Sequence, residues 1–314
     1  MLDRKKITKA VIPAAGFGTR MLPATKAVSK EMLPVAGKPL IQYAVEEAAS
    51  SGIETVILVV RDHKSLIRSH FARNLELESF LGGRRLSASI ELIRNLAKLV
   101  DLRYVEQRNP LGLANAISCA RSLVGEEPFA VLLPDVIMVS TEAVTSQLIK
   151  ARVQHGGSVV AVREVEPQDL GRFGIVRPEH PPVPPSSKSL PVIGLVEKPA
   201  ADKAPSRLGV FGRYLLEPVI WSAIDQTHAD ASGEVQLTDA LNLLCETEPL
   251  FGFCFEGQHY DAGDRIDYLR TNIEISLQSS ELRQPLLRHL SNILAKVSPL
   301  SLFIITGCLL TLHF

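Results

Sequence analysis

Three cations, Arg20, Lys26 and Lys30, lie in or just after a glycine-bearing loop, Gly16-Phe17-Gly18-Thr19, which follows a short apolar run ending at Pro13. Backbone free of side chains lets a polyanion approach closely, and its N–H groups can turn inward as donors. Three positive charges then neutralise phosphate. Ala14, Ala15, Gly16, Gly18 and Thr19 are the candidate backbone of this cradle, and a nucleoside triphosphate is the ligand it suits. Two commoner motifs are excluded. Met21 stands where the dinucleotide fingerprint needs its third glycine, and no Gly-Lys-Ser/Thr closes a Walker loop.

Carboxylates supply the complementary chemistry. Ala130-Val-Leu-Leu-Pro-Asp135 reads as an apolar strand ending in a lone acid. A hard cation such as Mg²⁺ typically takes one or two carboxylates plus phosphate oxygens and water. Asp135 is therefore a candidate metal ligand, with loop capping as the plainer alternative. Gly194-Leu-Val-Glu-Lys-Pro places Glu197, an acceptor for hydroxyls, beside Lys198, a grip for phosphate. Exposed Glu-Lys pairs are nevertheless common on solvated surfaces. His259-Tyr-Asp-Ala-Gly-Asp264, taken alone, is a turn signal with a helix cap. Gln107 carries an amide that can both donate to and accept from the edge of a nucleobase, and Gly112 lets a base lie against the backbone.

The long string G-x-G-T-R-M-L-P-x-T, followed by S-K-E-M-L-P, L-P-D-V, V-E-K-P and G-E-V-Q-L-T-D, resembles the sugar-1-phosphate nucleotidyltransferases, most closely their bacterial uridylyl-transferring type. The likeness runs in order over roughly residues 7–280. It implies an α/β fold: a Rossmann-like nucleotidyltransferase core with a mixed, mostly parallel central sheet and helices on both faces. The implied activity is Mg²⁺-dependent transfer of uridylyl from UTP to glucose 1-phosphate, giving UDP-glucose and pyrophosphate, in a homo-oligomer. By the same resemblance Asp261 completes the Mg²⁺ site with Asp135, Glu197 holds the hexose and Lys198 its phosphate. Arg20, Lys30 and Lys198 are then the catalytic cations. Glu31 lies near the base or ribose, Gly174 and Gly212 line the sugar pocket, and the G-E-V-Q-L-T-D string shapes that pocket or an interface.

One segment departs from the pattern. Gly112-Leu-Ala-Asn-Ala116 stands where the uridylyl type carries Gly-Leu-Gly-His-Ala, and the alanine form is familiar from the thymidylyl branch. A thymidylyl or other hexose-1-phosphate nucleotidyltransferase is therefore an alternative. A non-catalytic paralogue that binds sugar nucleotides is another, disfavoured because Arg20, Lys30, Asp135, Lys198 and Asp261 are all present. The transfer needs no covalent nucleophile: cations and metal must cancel the repulsion of two polyanions and stabilise the departing pyrophosphate. The chain accordingly has neither a G-x-S-x-G elbow nor an H-E-x-x-H motif.

A sheet must hold these residues at one rim. Apolar runs at Lys9–Pro13, Thr55–Val60, Asp101–Glu106 and Phe129–Pro134 predict strands, with helices between them at Pro39–Ser51, His63–Phe71, Leu111–Leu123 and Thr141–Gln154. Such alternation predicts a mostly parallel sheet, with ligands beyond its carboxyl ends. Further strands are expected at Ser158–Arg163, Phe173–Arg177 and Pro191–Glu197, and an exposed loop across the proline-rich stretch Pro178–Pro191. Helices are expected at Glu217–Asp225, Gln236–Cys245 and Asp264–Ser279, and from Glu281 to Val297. The last has an apolar face, suited either to the core or to an oligomer contact. The division is a catalytic domain over 1–280, an amphipathic helix over 281–297 and an apolar tail over 298–314.

Composition narrows the setting. Formal charge is zero over 314 residues, so no nucleic-acid or membrane-surface partner is indicated and phosphate must be met by local cations. Cys119, Cys245, Cys254 and Cys308 are scattered, which argues against a zinc site or a disulfide framework. Met1-Leu-Asp-Arg-Lys-Lys-Ile7 lacks the apolar stretch of a signal peptide and reads as cytoplasmic. Val297 to Phe314 contains no Lys, Arg, Asp or Glu, yet its apolar run is at the short limit of the about 20 residues that a span needs. A membrane anchor is disfavoured.

Overall fold

The four apolar runs of the first half become adjacent parallel strands. In the computed structural model, which describes residues 5–61, 66–180 and 188–296, Lys9–Ala14 pairs with Thr55–Val60 on one side and Phe129–Leu132 on the other. Asp101–Glu106 adds to Thr55–Val60 at the edge. They open a nine-stranded sheet that continues through Leu208–Leu216, Ser158–Glu164, Leu250–Cys254, Ser189–Glu197 and Gly174–Pro178. Leu208–Leu216 and Ser189–Glu197 run against the others, so the sheet is mixed but mostly of one direction. Gly209 also pairs with Ile175, which curls the second half back on itself.

Alternate residues of each strand feed opposite faces, as the two-residue period requires. Val11, Ile57 and Val131 join one buried cluster with the helices Leu113–Cys119, Ile220–Gln226 and Leu237–Cys245. Ala10, Ile12, Leu58 and Leu132 join the other, with Leu40–Ser50, Leu66–Phe71 and Val144–His155. Helices thus cover both faces of a Rossmann-like α/β core.

Several elements differ from expectation for identifiable reasons. The strand Leu208–Leu216 was not signalled, because all nine of its residues are buried and it shows no polar alternation. Phe129–Leu132 stops short of Pro134, which has no N–H for a ladder. Expected helix Leu111–Leu123 is two pieces, Leu113–Cys119 and Arg121–Val124. Leu75–Gly83 and Ser87–Leu96 are helices, Leu250–Cys254 is a strand, and Val136–Val139 pairs with Gln258–Asp261 as a separate antiparallel ribbon. The proline-rich stretch begins and ends inside paired strands, and its residues 181–187 lie outside those described, as do residues 63–65 of the expected His63–Phe71 helix. Helix Arg283–Lys296 has no buried residue, so its apolar face is not docked in the core. The tail 298–314 lies outside the described residues. Among the described residues no helix is long and apolar enough to cross a membrane.

Candidate active site

Loops leaving the carboxyl ends of the parallel strands converge on one rim. Lys9–Ala14 delivers Ala15, Gly16, Gly18 and Thr19, Asp101–Glu106 delivers Gln107, and Phe129–Leu132 delivers Asp135. A cavity of about 500 Å³ opens there, lined by these loop residues together with Glu31 and Gly112. Ala14 does not line it: it remains in the ladder opposite Val60 and is buried. A second cavity, of about 470 Å³, is lined by Gly174, Glu197, Lys198, Gly212 and Asp261, with Arg20. Both cavities are bounded by Asp135, Leu133, Leu113 and Glu234, so they meet at Asp135.

At that junction Lys30 is 8% exposed and donates from Nζ to Asp135 Oδ2 at 2.9 Å and to the Gly263 carbonyl at 3.3 Å. It lies behind Asp135 and outside both cavity linings, whereas Arg20 is exposed at the cavity wall. Burial raises the Asp135 carboxyl, but the Lys30 ammonium and its hydrogen bond, helped by Arg20, outweigh this and hold it below the ordinary range. Asp261 sits opposite Val136 in the ribbon; its Oδ1 accepts from Gly263 N at 2.6 Å and its Oδ2 from Arg172 at 3.0 Å. Burial pushes its pKa up, and the charge of Asp135 adds to the effect. The structure therefore brings Asp135 and Asp261 together as neighbouring like charges.

Their chemistry fits a hard divalent cation. The donors are carboxylate oxygens, and their mutual repulsion is relieved by positive charge between them. Among the described residues no group of three or more His, Cys, Asp or Glu could by itself hold a metal. The pair suits a cation that completes its shell with substrate phosphate and water rather than a closed protein cage.

On the sugar side, Glu197 ends the strand Ser189–Glu197 and accepts from Thr238 Oγ1 at 2.6 Å and from Lys198 Nζ at 2.9 Å. A Cβ on Gly174 would stand 3.2 Å from Thr238 Oγ1 and 3.3 Å from Glu197 Oε2, so a side chain there would press on this hydrogen-bonded pair. Lys198 takes a left-handed backbone, φ 42°, a strained conformation for a side-chain-bearing residue. That turn leaves its ammonium exposed at the cavity.

In the other cavity Gln107 is buried, and its Nε2 donates to Asn115 Oδ1 at 2.8 Å and to the Gly112 carbonyl at 3.3 Å. With the amine side committed, the Oε1 acceptor is the group free to read a base. Asn115, in the segment that departs from the family pattern, is thus the residue that orients Gln107. Gly112 has φ 96°, and a Cβ on it would lie 2.6 Å from the Val235 carbonyl oxygen, so only glycine permits this close packing. Glu31 is 7% exposed, and among the described residues its Oε2 is the buried side-chain atom left without a hydrogen-bond partner. Burial, with some help from Asp135, pushes its pKa up to about 7.

Sequence reasoning missed Arg172, which joins Asp261 to the buried Asp267, and Tyr214, a buried phenol in the sugar-side wall. It also missed Glu47 and Arg213, which form a buried ion pair. An arginine inside the run Leu208-Gly-Val-Phe-Gly-Arg-Tyr-Leu-Leu216 was the available signal for the last.

Residues 9–277 match the family model described as Nucleotidyl transferase. The chain is 42% identical over 293 residues to the UTP–glucose-1-phosphate uridylyltransferase YngB of Bacillus subtilis (strain 168), covering 93% of this chain and 97% of that one. A UTP-bound UGPase from Acinetobacter baumannii superposes with a TM-score of 0.81 at 34% identity, over 93% of this chain and 100% of the other. A UDP-glucose pyrophosphorylase complexed with UDP-glucose superposes with a TM-score of 0.78 at 34% identity, over 87% and 100%.

Proposed function

Because the chain belongs to the nucleotidyl transferase family, we propose that it joins UTP to glucose 1-phosphate, giving UDP-glucose and pyrophosphate. The observation that carries this reading is the meeting of two cavities at Asp135, one walled by backbone and Gln107, the other by Glu197 and Lys198. A triphosphate in the first and a sugar phosphate in the second bring their reacting ends to one point.

The 1-phosphate oxygen attacks the α-phosphorus of UTP, and pyrophosphate leaves in line. Holding both reactants removes the entropic cost of their encounter. The Gln107 Oε1 accepts from the N3–H of uracil, and the loop Ala15–Thr19 offers N–H groups to phosphate. Glu197 accepts from hexose hydroxyls, with Thr238 fixing its direction. Lys198 meets the sugar phosphate, and Arg20, at the wall near Asp135, offsets charge on the reacting phosphates. Lys30 acts at one remove, by holding the Asp135 carboxylate in its ionised form. Asp135 and Asp261 would hold Mg²⁺, which when bound supplies positive charge to the phosphate oxygens. Cytoplasmic residence and self-association go with this reading.

The test is pyrophosphate release with UTP, dTTP, CTP and ATP, each offered with glucose 1-phosphate and with galactose 1-phosphate. UTP with glucose 1-phosphate should have the highest kcat/KM, and the rate should vanish on chelation of Mg²⁺. Preference for dTTP would move the chain to the thymidylyl branch, and no release with any pair would make it a binding protein.

A further inference from the structure

Arg213 is 1% exposed within a strand whose residues are all buried. One edge of its guanidinium meets Glu47, with Nε 3.1 Å from Oε2 and Nη2 2.8 Å from the same oxygen. The other edge meets backbone. Nη1 donates to the Leu133 carbonyl at 3.0 Å and to that of Gly212 at 3.3 Å, and Nη2 donates to the Val136 carbonyl at 2.9 Å. Every N–H of the fork therefore has an acceptor. Leu133 and Val136 bracket Pro134 and Asp135, so the guanidinium closes the base of the turn that presents Asp135 to the cavities.

Glu47 is itself fixed. Its Oε1 accepts from Thr145 Oγ1 at 2.7 Å and from Thr145 N at 3.1 Å, which ties helix Leu40–Ser50 to the first turn of Val144–His155. A buried ion pair is a poor source of stability, since desolvating both charges offsets most of their attraction, and packed apolar side chains commonly do as well. What this pair supplies is geometry: a rigid planar fork aimed at the Leu133 and Val136 carbonyls on either side of Asp135, as well as that of Gly212.

We propose that Arg213, oriented by Glu47, is a positioning residue that sets the Asp135 carboxylate for cation binding. The inference rests on the reading of Asp135 as a cation ligand. It extends the site to side chains that touch neither substrate. An ammonium at this place keeps the charge opposite Glu47 but cannot span both carbonyls, because its donors radiate from a single point. Asp135 should then wander, and Mg²⁺ should be held less well.

The experiment compares Arg213→Lys and Glu47→Gln with the wild type in two ways. Pyrophosphate release is titrated with Mg²⁺ and with glucose 1-phosphate, and backbone hydrogen exchange is followed in the ligand-free protein. Arg213→Lys should lower kcat about tenfold and raise the Mg²⁺ concentration for half-maximal rate about fivefold or more, with KM for glucose 1-phosphate within about twofold. Exchange should quicken about tenfold at Val136 and Ala262 while the strand Lys9–Ala14 stays protected. Unchanged Mg²⁺ dependence in a folded variant would overturn the proposal. So would exchange that rises evenly over the whole protein, the mark of a role in stability alone. If Arg213→Lys does not fold, Glu47→Gln decides on the same measurements. Wild-type protein inactive with every nucleotide would defeat the enzymatic reading separately, and the exchange comparison would still decide whether Arg213 positions Asp135.

Discussion

Asp135 and Asp261, distant in the chain, meet because the Ala262 N–H donates to the Asp135 carbonyl at 2.8 Å while Asp261 faces Val136 across the ribbon. Backbone pairing thus fixes the spacing of the two carboxylates without any contact between the carboxylates themselves. Lys30 on one and Arg172 on the other balance part of their charge, and what remains favours a cation beside phosphate.

Replacing one carboxylate by an isosteric amide removes charge and leaves shape. Asp135→Asn should lower turnover at saturating Mg²⁺ by at least about a hundredfold, near 3 kcal/mol of barrier stabilisation, with circular dichroism unchanged. Retention of more than about a third of wild-type turnover would sink the assignment.

Lys198 and Thr238 should act on the sugar phosphate and not on the nucleotide. Lys198→Ala removes a charge-assisted contact of about 1.5–3 kcal/mol and should raise KM for glucose 1-phosphate about tenfold or more, with KM for UTP little changed. Thr238→Val frees Glu197 from its 2.6 Å donor and should move the same constant by about fivefold, while Thr238→Ser restores it. Equal damage to both substrates would contradict this division.

The base contact proposed for Gln107 depends on an orientation set by Asn115. Gln107→Leu should raise KM for UTP about fivefold, the worth of a neutral hydrogen bond near 1 kcal/mol. Asn115→Ala releases Nε2 and lets the amide turn, presenting a donor to the unprotonated N3 of cytosine. The ratio of kcat/KM for CTP over UTP should therefore rise in that variant. An unchanged ratio would show that the amide is held by Gly112 alone.

Glu31 makes the ligand-free protein sensitive to pH. Its carboxyl is pushed up from 4.5 to about 7 by burial, so the folded state binds a proton that the unfolded chain has already lost. Stability from this group is present at low pH and declines as pH rises from about 4.5 through 7, by about 3 kcal/mol at most. Glu31→Gln, which cannot ionise, should melt higher than wild type at pH 8, with the difference shrinking toward pH 5. Parallel melting curves of the two proteins against pH would refute this.

How far the sequence reached depended on the range of the interaction. The glycine-bearing loop Ala15–Thr19, the strand ending before Asp135 and the pair Glu197-Lys198 were legible, because short apolar runs, glycines and adjacent charges act locally along the chain. The α/β alternation of the first half was legible for the same reason. Buried elements without a period were not: Leu208–Leu216 shows no alternation, since both its faces are covered. Tertiary structure alone decided that Lys30 backs Asp135, that Asn115 aims Gln107, and that Ala14 stays in the ladder. It alone placed Glu47 and Arg213 beneath the turn at Asp135. All but the Asn115–Gln107 contact depend on a hydrogen bond or strand register between segments far apart in the chain, and no local preference encodes which partner a buried polar group will meet.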